Sequence, residues 1–172
     1  SLLLSYERGQ ALLKLGRTQE ALAEAERCAE LDWPSGMTGD YGIYTHKRWS
    51  LVGRLRAERG DYDRALEALD RALAGNPDFK DAIGLKGAVL LQLGRLEEAR
   101  PWLEKCLADP IDRLEALRLL GTLAARQERY PEACFHFTEL WEAGVHTRDL
   151  AHAWMEAATA SGHLEHAGIL AL

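Results

Sequence analysis

No run of apolar residues in this chain comes near the about 18 needed to cross a bilayer. The opening Ser1-Leu2-Leu3-Leu4 is too short for a secretory signal, has no basic flank and runs straight into Glu7 and Arg8. A basic run is also missing. Lys and Arg number 21 against 27 Asp plus Glu, a formal charge of −6, so no phosphate-neutralising surface and no nucleic-acid partner are expected. Cysteine is scarce: Cys28, Cys106 and Cys134 are odd in number and widely spaced, which argues against a disulfide framework. There is no Gly-rich phosphate loop, nucleophile motif or group of convergent carboxylates, so no catalysis and no cofactor are expected. Reduced cysteines point to a cytoplasmic location. Both ends read as cut points of a larger protein.

What is present is a period. Ala65, Ala99, Ala133 and Ala167 stand 34 residues apart, and Tyr62, Leu96, Tyr130 and Leu164 keep the same step, as do Gly53, Gly87 and Gly121. Thirty-four residues fit two helices and a turn. The second unit is the cleanest. Trp49-x-x-Val52-Gly53 opens a helix, Arg59-Gly60-Asp61-Tyr62 turns it, Ala65, Leu69 and Ala72 line a second helix, and Asn76-Pro77 ends it. Gly53 lets the partner helix approach, Gly60 supplies left-handed geometry for the reversal, and Asp61 is placed to cap the next helix. Cys28 and Cys106 fall in the slot of Ala72, where a buried thiol packs as a small apolar group.

The other units vary this scheme. Glu128 replaces the turn glycine of the fourth, and Pro131 follows in the first turn of its second helix. The fifth begins near Arg148 behind a Thr147 cap, with Met155 in the close-packing glycine slot, so that hairpin is expected to splay. Gly9 and Gly16 precede Gly53 and Gly60 by 44 residues, which places ten extra residues between the first two units. Gly36, Thr38 and Gly39 predict a loop there, and Tyr41, Ile43 and Tyr44 an early aromatic start to the next helix.

These residues resemble the tetratricopeptide repeat (TPR) family. The resemblance implies an all-α, right-handed superhelix of about four and a half repeats in a single domain over 1–172. The repeats span approximately 2–35, 46–79, 80–113, 114–147 and a truncated 148–172, with an insert at 36–45. It also implies a scaffold that binds a protein or an extended peptide in its concave groove. A weaker resemblance links Leu31–Tyr44, Arg48–Gly53 and Asn76–Phe79 to the repeat tails of bacterial family-2 glycosyltransferases. On that alternative the chain is a non-catalytic C-terminal domain. A peptide-sensing regulator is the second alternative.

The family's geometry puts the first helix of each pair on the groove. By phase, that face carries Tyr6 and Gln10, then Lys47, Ser50 and Arg54, then Asp81, Gly84 and Ala88. Glu115, Arg118 and Thr122 follow, and last Asp149, His152 and Glu156. Lys47, Arg54, Arg118 and Arg126 are placed to hold carboxylates of an acidic partner; the alternative is a solvated face of mixed charge. The Lys–Asn clamp of the family's chaperone adaptors is missing, because Tyr6, Gln10, Ser50 and Arg54 fill its slots. His163-x-x-His166, with His146 and His152 nearby, lacks the further ligands a closed metal site needs, so no metal is expected. His136, between Phe135 and Phe137, reads as a helix-face residue. The apolar end Ala167-Gly168-Ile169-Leu170-Ala171-Leu172 is expected to self-associate or pack on further chain.

Overall fold

The computed structural model describes residues 2–31 and 42–162, and all of the described secondary structure is helical. Expectations resting on residues 36–41, on His163 and His166, and on Leu164, Ala167 and the apolar end fall outside those residues. The chain, expected as one continuous domain, divides into two compact units, 1–93 and 94–172, each described by itself.

Unit 1 holds α1 (Leu2–Lys14), α2 (Thr18–Glu30), a π-helical turn (Ile43–Lys47), α3 (Arg48–Glu58), α4 (Tyr62–Gly75) and α5 (Lys80–Gln92). Neighbouring helices pack in chain order around Leu12, Ala21, Ala25, Leu51, Val52 and Leu55. Gly53 works as expected: a Cβ there would stand 2.8 Å from Leu69 Cγ. Gly9 is looser, with its nearest neighbour, Leu51 Cδ2, at 3.4 Å from such a carbon. The turn glycines Gly16 and Gly60 have φ of 72° and 77°. In each turn the following N–H reaches back five residues, Arg17 to Leu12 and Asp61 to Arg56, both at 2.9 Å.

Asp61 does not cap α4 as expected. Its side chain makes no cap hydrogen bond and pairs instead with Arg64 at 3.6 Å. The corresponding slots hold arginine with a glutamate three residues on, Arg17–Glu20, Arg95–Glu98 and Arg129–Glu132, so the second unit carries the same pair with its charges exchanged. The backbone there needs no side-chain cap, since φ and ψ match at Arg17, Asp61, Arg95 and Arg129.

The described end of the insert is helical from Gly42, which extends the expected start at 46. A π turn carries one more residue per turn than an α turn and so absorbs part of the extra length. Ile43 is buried, the His46 ring lies 4.5 Å from that of Phe79, and Gly75 admits Thr45 beside it. Arg48 donates to the carbonyls of Leu31 (2.5 Å) and Cys28 (3.3 Å), satisfying acceptors left open at the end of α2. Ion pairs also join successive hairpins: Arg56–Glu26 at 2.7 Å between α3 and α2, Lys86–Asp70 at 2.5 Å between α5 and α4, and Arg54–Asp81 at 3.8 Å between α3 and α5.

Unit 2 holds α6 (Leu96–Cys106), α7 (Arg113–Arg126), α8 (Tyr130–Glu142) and α9 (Arg148–Ser161). Its core is Leu117, Ala124, Ala133, Phe137, Leu140, Leu150 and Trp154. Gly121 takes Phe137 against its bare face, where a Cβ would meet Phe137 Cδ1 at 2.7 Å. Glu128, in the glycine slot, adopts the left-handed conformation regardless (φ 59°), and Arg129 N–H still reaches Ala124 at 2.9 Å. Pro131 sits in the first turn of α8, as expected, whereas Pro101 lies inside α6. Thr147 caps α9 by accepting the Leu150 N–H at 3.2 Å. Met155 is exposed, and the helix against which it was expected to splay lies outside the described residues.

Candidate functional site

A deep concavity among the described residues lies in unit 2. On α7, Glu115, Arg118 and Thr122 recur at helical spacing and form one stripe. The Thr147 cap starts α9 so that Asp149 and Ala153 face the same space. Phe137 and Leu140 of α8, with Leu150, form the apolar floor of a cleft of about 720 Å³. Its rim carries Ile111, 88% exposed, on a turn in which Asp109 Oδ1 accepts the Ile111 N–H at 2.8 Å. A second cleft of about 710 Å³ shares Thr122, Phe137 and Ala153 with the first and continues past Arg126, Tyr130 and Glu156.

The charges here are largely paired. Arg118 donates through Nε (2.8 Å) and a terminal nitrogen (2.5 Å) to the two oxygens of Glu115. That hydrogen bond, helped by the Glu115 charge, pushes the guanidinium pKa further up. Thr122 Oγ1 donates to the Arg118 carbonyl at 2.9 Å, and His152 Nδ1 lies 3.6 Å from Glu156 with both side chains exposed. Asp149 makes no ion pair among the described residues.

Unit 1 presents the remaining expected residues. Gln10 Nε2 donates to Tyr6 Oη at 2.9 Å, and Tyr6 is half-buried against Cys28 and Ile43. Lys47 closes the π turn. Ser50, expected on the groove, is 4% exposed and turns inward among the core residues of α3. Arg54 pairs with Asp81 at 3.8 Å rather than with Glu58, its neighbour four residues on. Trp49 packs on the core, with the Arg71 guanidinium 4.5 Å above its ring. Lys47 and Arg54 thus belong to one unit and Arg118 to the other.

A second polar cluster in unit 2 joins α6 to α8. Arg100 donates to Glu132 (2.5 Å) and to Gln127 Oε1 (2.7 Å), and Gln127 donates to Glu97 at 2.6 Å. His136, read from the sequence as a helix-face residue, is only 9% exposed, with Nε2 3.9 Å from Glu132. Burial is the main reason its pKa falls below the ordinary imidazole value. Burial pushes Glu132 up, but the Arg100 hydrogen bond and charge, with Arg129 and His136, outweigh it and hold the carboxyl below its usual range. All three cysteines are free and buried, and burial raises each thiol pKa. Among the described residues no group of His, Cys, Asp and Glu is arranged to hold a metal, and no helix is long and apolar enough to cross a membrane.

Sequence reasoning placed Glu115, Arg118, Thr122 and Asp149 beside one another and missed the floor and rim. The signal for the rim was available: Ile111 is an isoleucine in a turn between Asp109 and Asp112.

Tetratricopeptide repeat models match residues 53–112 and 4–32. Among solved structures, MamA (41 to end) from Desulfovibrio magneticus RS-1 is similar, with a TM-score of 0.81 at 22% identity over 97% of this chain and 89% of that one. MamA AMB-1 gives 0.76 at 22% identity over 96% and 85%. A tetratricopeptide repeat protein from Parabacteroides merdae ATCC 43184 gives 0.72 at 20% identity over 98% and 62%. No protein of curated function matches, and the resemblance to glycosyltransferase tails gains no support from these comparisons. The repeat matches and the helical-hairpin fold agree: the chain belongs to the tetratricopeptide repeat family, an all-α family of protein-interaction scaffolds rather than enzymes.

Proposed function

We propose that the chain holds an extended segment of a partner protein in the joined clefts of unit 2, between the stripes of α7 and α9. The observation that carries this is a cleft whose inner wall is the apolar core edge of Phe137, Leu140 and Leu150, beneath a rim of paired charges and the exposed Ile111 side chain. Such a wall takes side chains, and the exposed rims of α7 and α9 leave room for a backbone to pass. Seating one leucine-sized side chain contributes about 1.5–3 kcal/mol. Micromolar binding needs about 8 kcal/mol in total. About three to five anchors along the joined clefts are therefore required, and micromolar rather than nanomolar affinity is expected.

The expected carboxylate clamp is weakened as a reading, because Arg118 is already held by Glu115 and Arg54 by Asp81. The test is occlusion. Ala153→Trp fills the space common to both clefts from a half-buried position on α9. Peptides selected from a random linear library on the unaltered chain should lose capture about ten-fold or more on this variant, with helix content unchanged. Equal capture by the folded variant would move binding away from unit 2's cleft.

A further inference from the structure

On the reading that this cleft holds an extended segment, we propose that the segment is cationic: an aliphatic or aromatic side chain seated on the floor, with a Lys or Arg beside it over Asp149. The charged residues lining the cleft are two carboxylates, Glu115 and Asp149, and one cation, Arg118. Glu115 and Arg118 neutralise one another through two hydrogen bonds. Arg113 is taken by Glu139 at 3.1 Å. Asp149 lines the cleft and makes no ion pair among the described residues. Arg126, the next cation on the α7 side, is eight residues beyond Arg118, about 12 Å along the helix and in the second cleft.

The two signs of ligand charge meet different obstacles. A ligand carboxylate has to break the Glu115–Arg118 pair, and then stands beside the displaced Glu115 and Asp149, both of its own sign. A ligand cation meets Asp149 with nothing displaced, and the apolar floor beneath excludes water from one side of the contact. A long Lys or Arg stem also lies comfortably along apolar surface with its charge at the rim.

The test uses the full chain and a random linear peptide library, with clones retained only if Ala153→Trp abolishes their capture. Retained clones should be enriched in Lys or Arg next to an aliphatic or aromatic residue. A synthetic peptide from such a clone should bind Asp149→Asn about 3-fold and Asp149→Lys about 10-fold more weakly at low salt, the effect shrinking as salt rises. The same peptide with its basic residue exchanged for Glu should recover on Asp149→Lys. Melting temperatures separate binding losses from unfolding, and the milder Asn variant keeps the start of α9 intact. Retained clones rich in Asp or Glu, or indifferent to Asp149→Lys, overturn the charge assignment while leaving the cleft as the site. Clones that bind Ala153→Trp as well as the unaltered chain, or no enrichment at all, overturn the cleft and the charge assignment together.

Discussion

At Gly121 the missing side chain is filled by another residue. Phe137 occupies the space a Cβ would need, whereas at Gly9 the nearest atoms keep ordinary distances. Gly121→Ala should therefore destabilise by about 1–3 kcal/mol through overpacking. Gly9→Ala should be neutral or stabilise by up to about 1 kcal/mol, since alanine is the better helix former. Urea denaturation of both variants checks this, and equal effects would contradict it. Glu128 presents the opposite case, a side chain where the backbone favours none. A left-handed L-residue costs roughly 1–2 kcal/mol, part of which glycine returns through its freer unfolded state. The Glu128 side chain is exposed and makes no hydrogen bond or ion pair among the described residues, so Glu128→Gly should stabilise by about 0.5–1 kcal/mol. Calorimetry showing a lower melting temperature would refute it.

At the scale of the element, α8 couples stability to pH. His136 is held neutral by burial, so its contribution is fully present above the ordinary imidazole value of about 6.5 and is lost as pH falls through its lowered folded value. Glu132, also lowered, contributes above the ordinary carboxylate value of about 4.3 and is lost only at more acid pH. Two stages of destabilisation are expected, the first beginning below about pH 6.5. His136→Gln should flatten the first stage in melting curves taken between neutral and mildly acid pH, and an unchanged slope would show that other groups carry it. The helices and their turns were legible in the sequence because one spacing repeats both the close contact at Gly53 and the left-handed turn at Gly60. The cleft was legible only along its stripes: Glu115, Arg118 and Asp149 follow helical phase, but the floor depends on how α8 lies beneath α7 and α9. Ser50 was misplaced for a related reason. Periodicity says which residues share a face, and only packing says which face is covered.

For the whole molecule, three free cysteines with raised thiol pKa values mean that nothing covalent holds the fold. The melting temperature should be unchanged by reductant, and alkylation of native protein at neutral pH should be slow and become fast only with unfolding. Rapid modification of any cysteine in the folded chain would contradict the burial. Two of the ion pairs that join successive hairpins in unit 1, Arg56–Glu26 and Lys86–Asp70, have a further consequence. Glu26 and Asp70 occupy equivalent slots of α2 and α4, yet they reach different slots of the helix that follows, Arg56 in one case and Lys86 in the other. Repeat proteins risk mistaken identity, because one hairpin closely mimics the next and a chain can skip a unit or borrow one from a neighbouring molecule. Here an exchange of α3 and α5 would set Glu26 against Leu90 and Asp70 against Val52, so each carboxylate would lose its partner. Each junction thus carries its own address, a small bias toward the native order of hairpins of nearly the same shape.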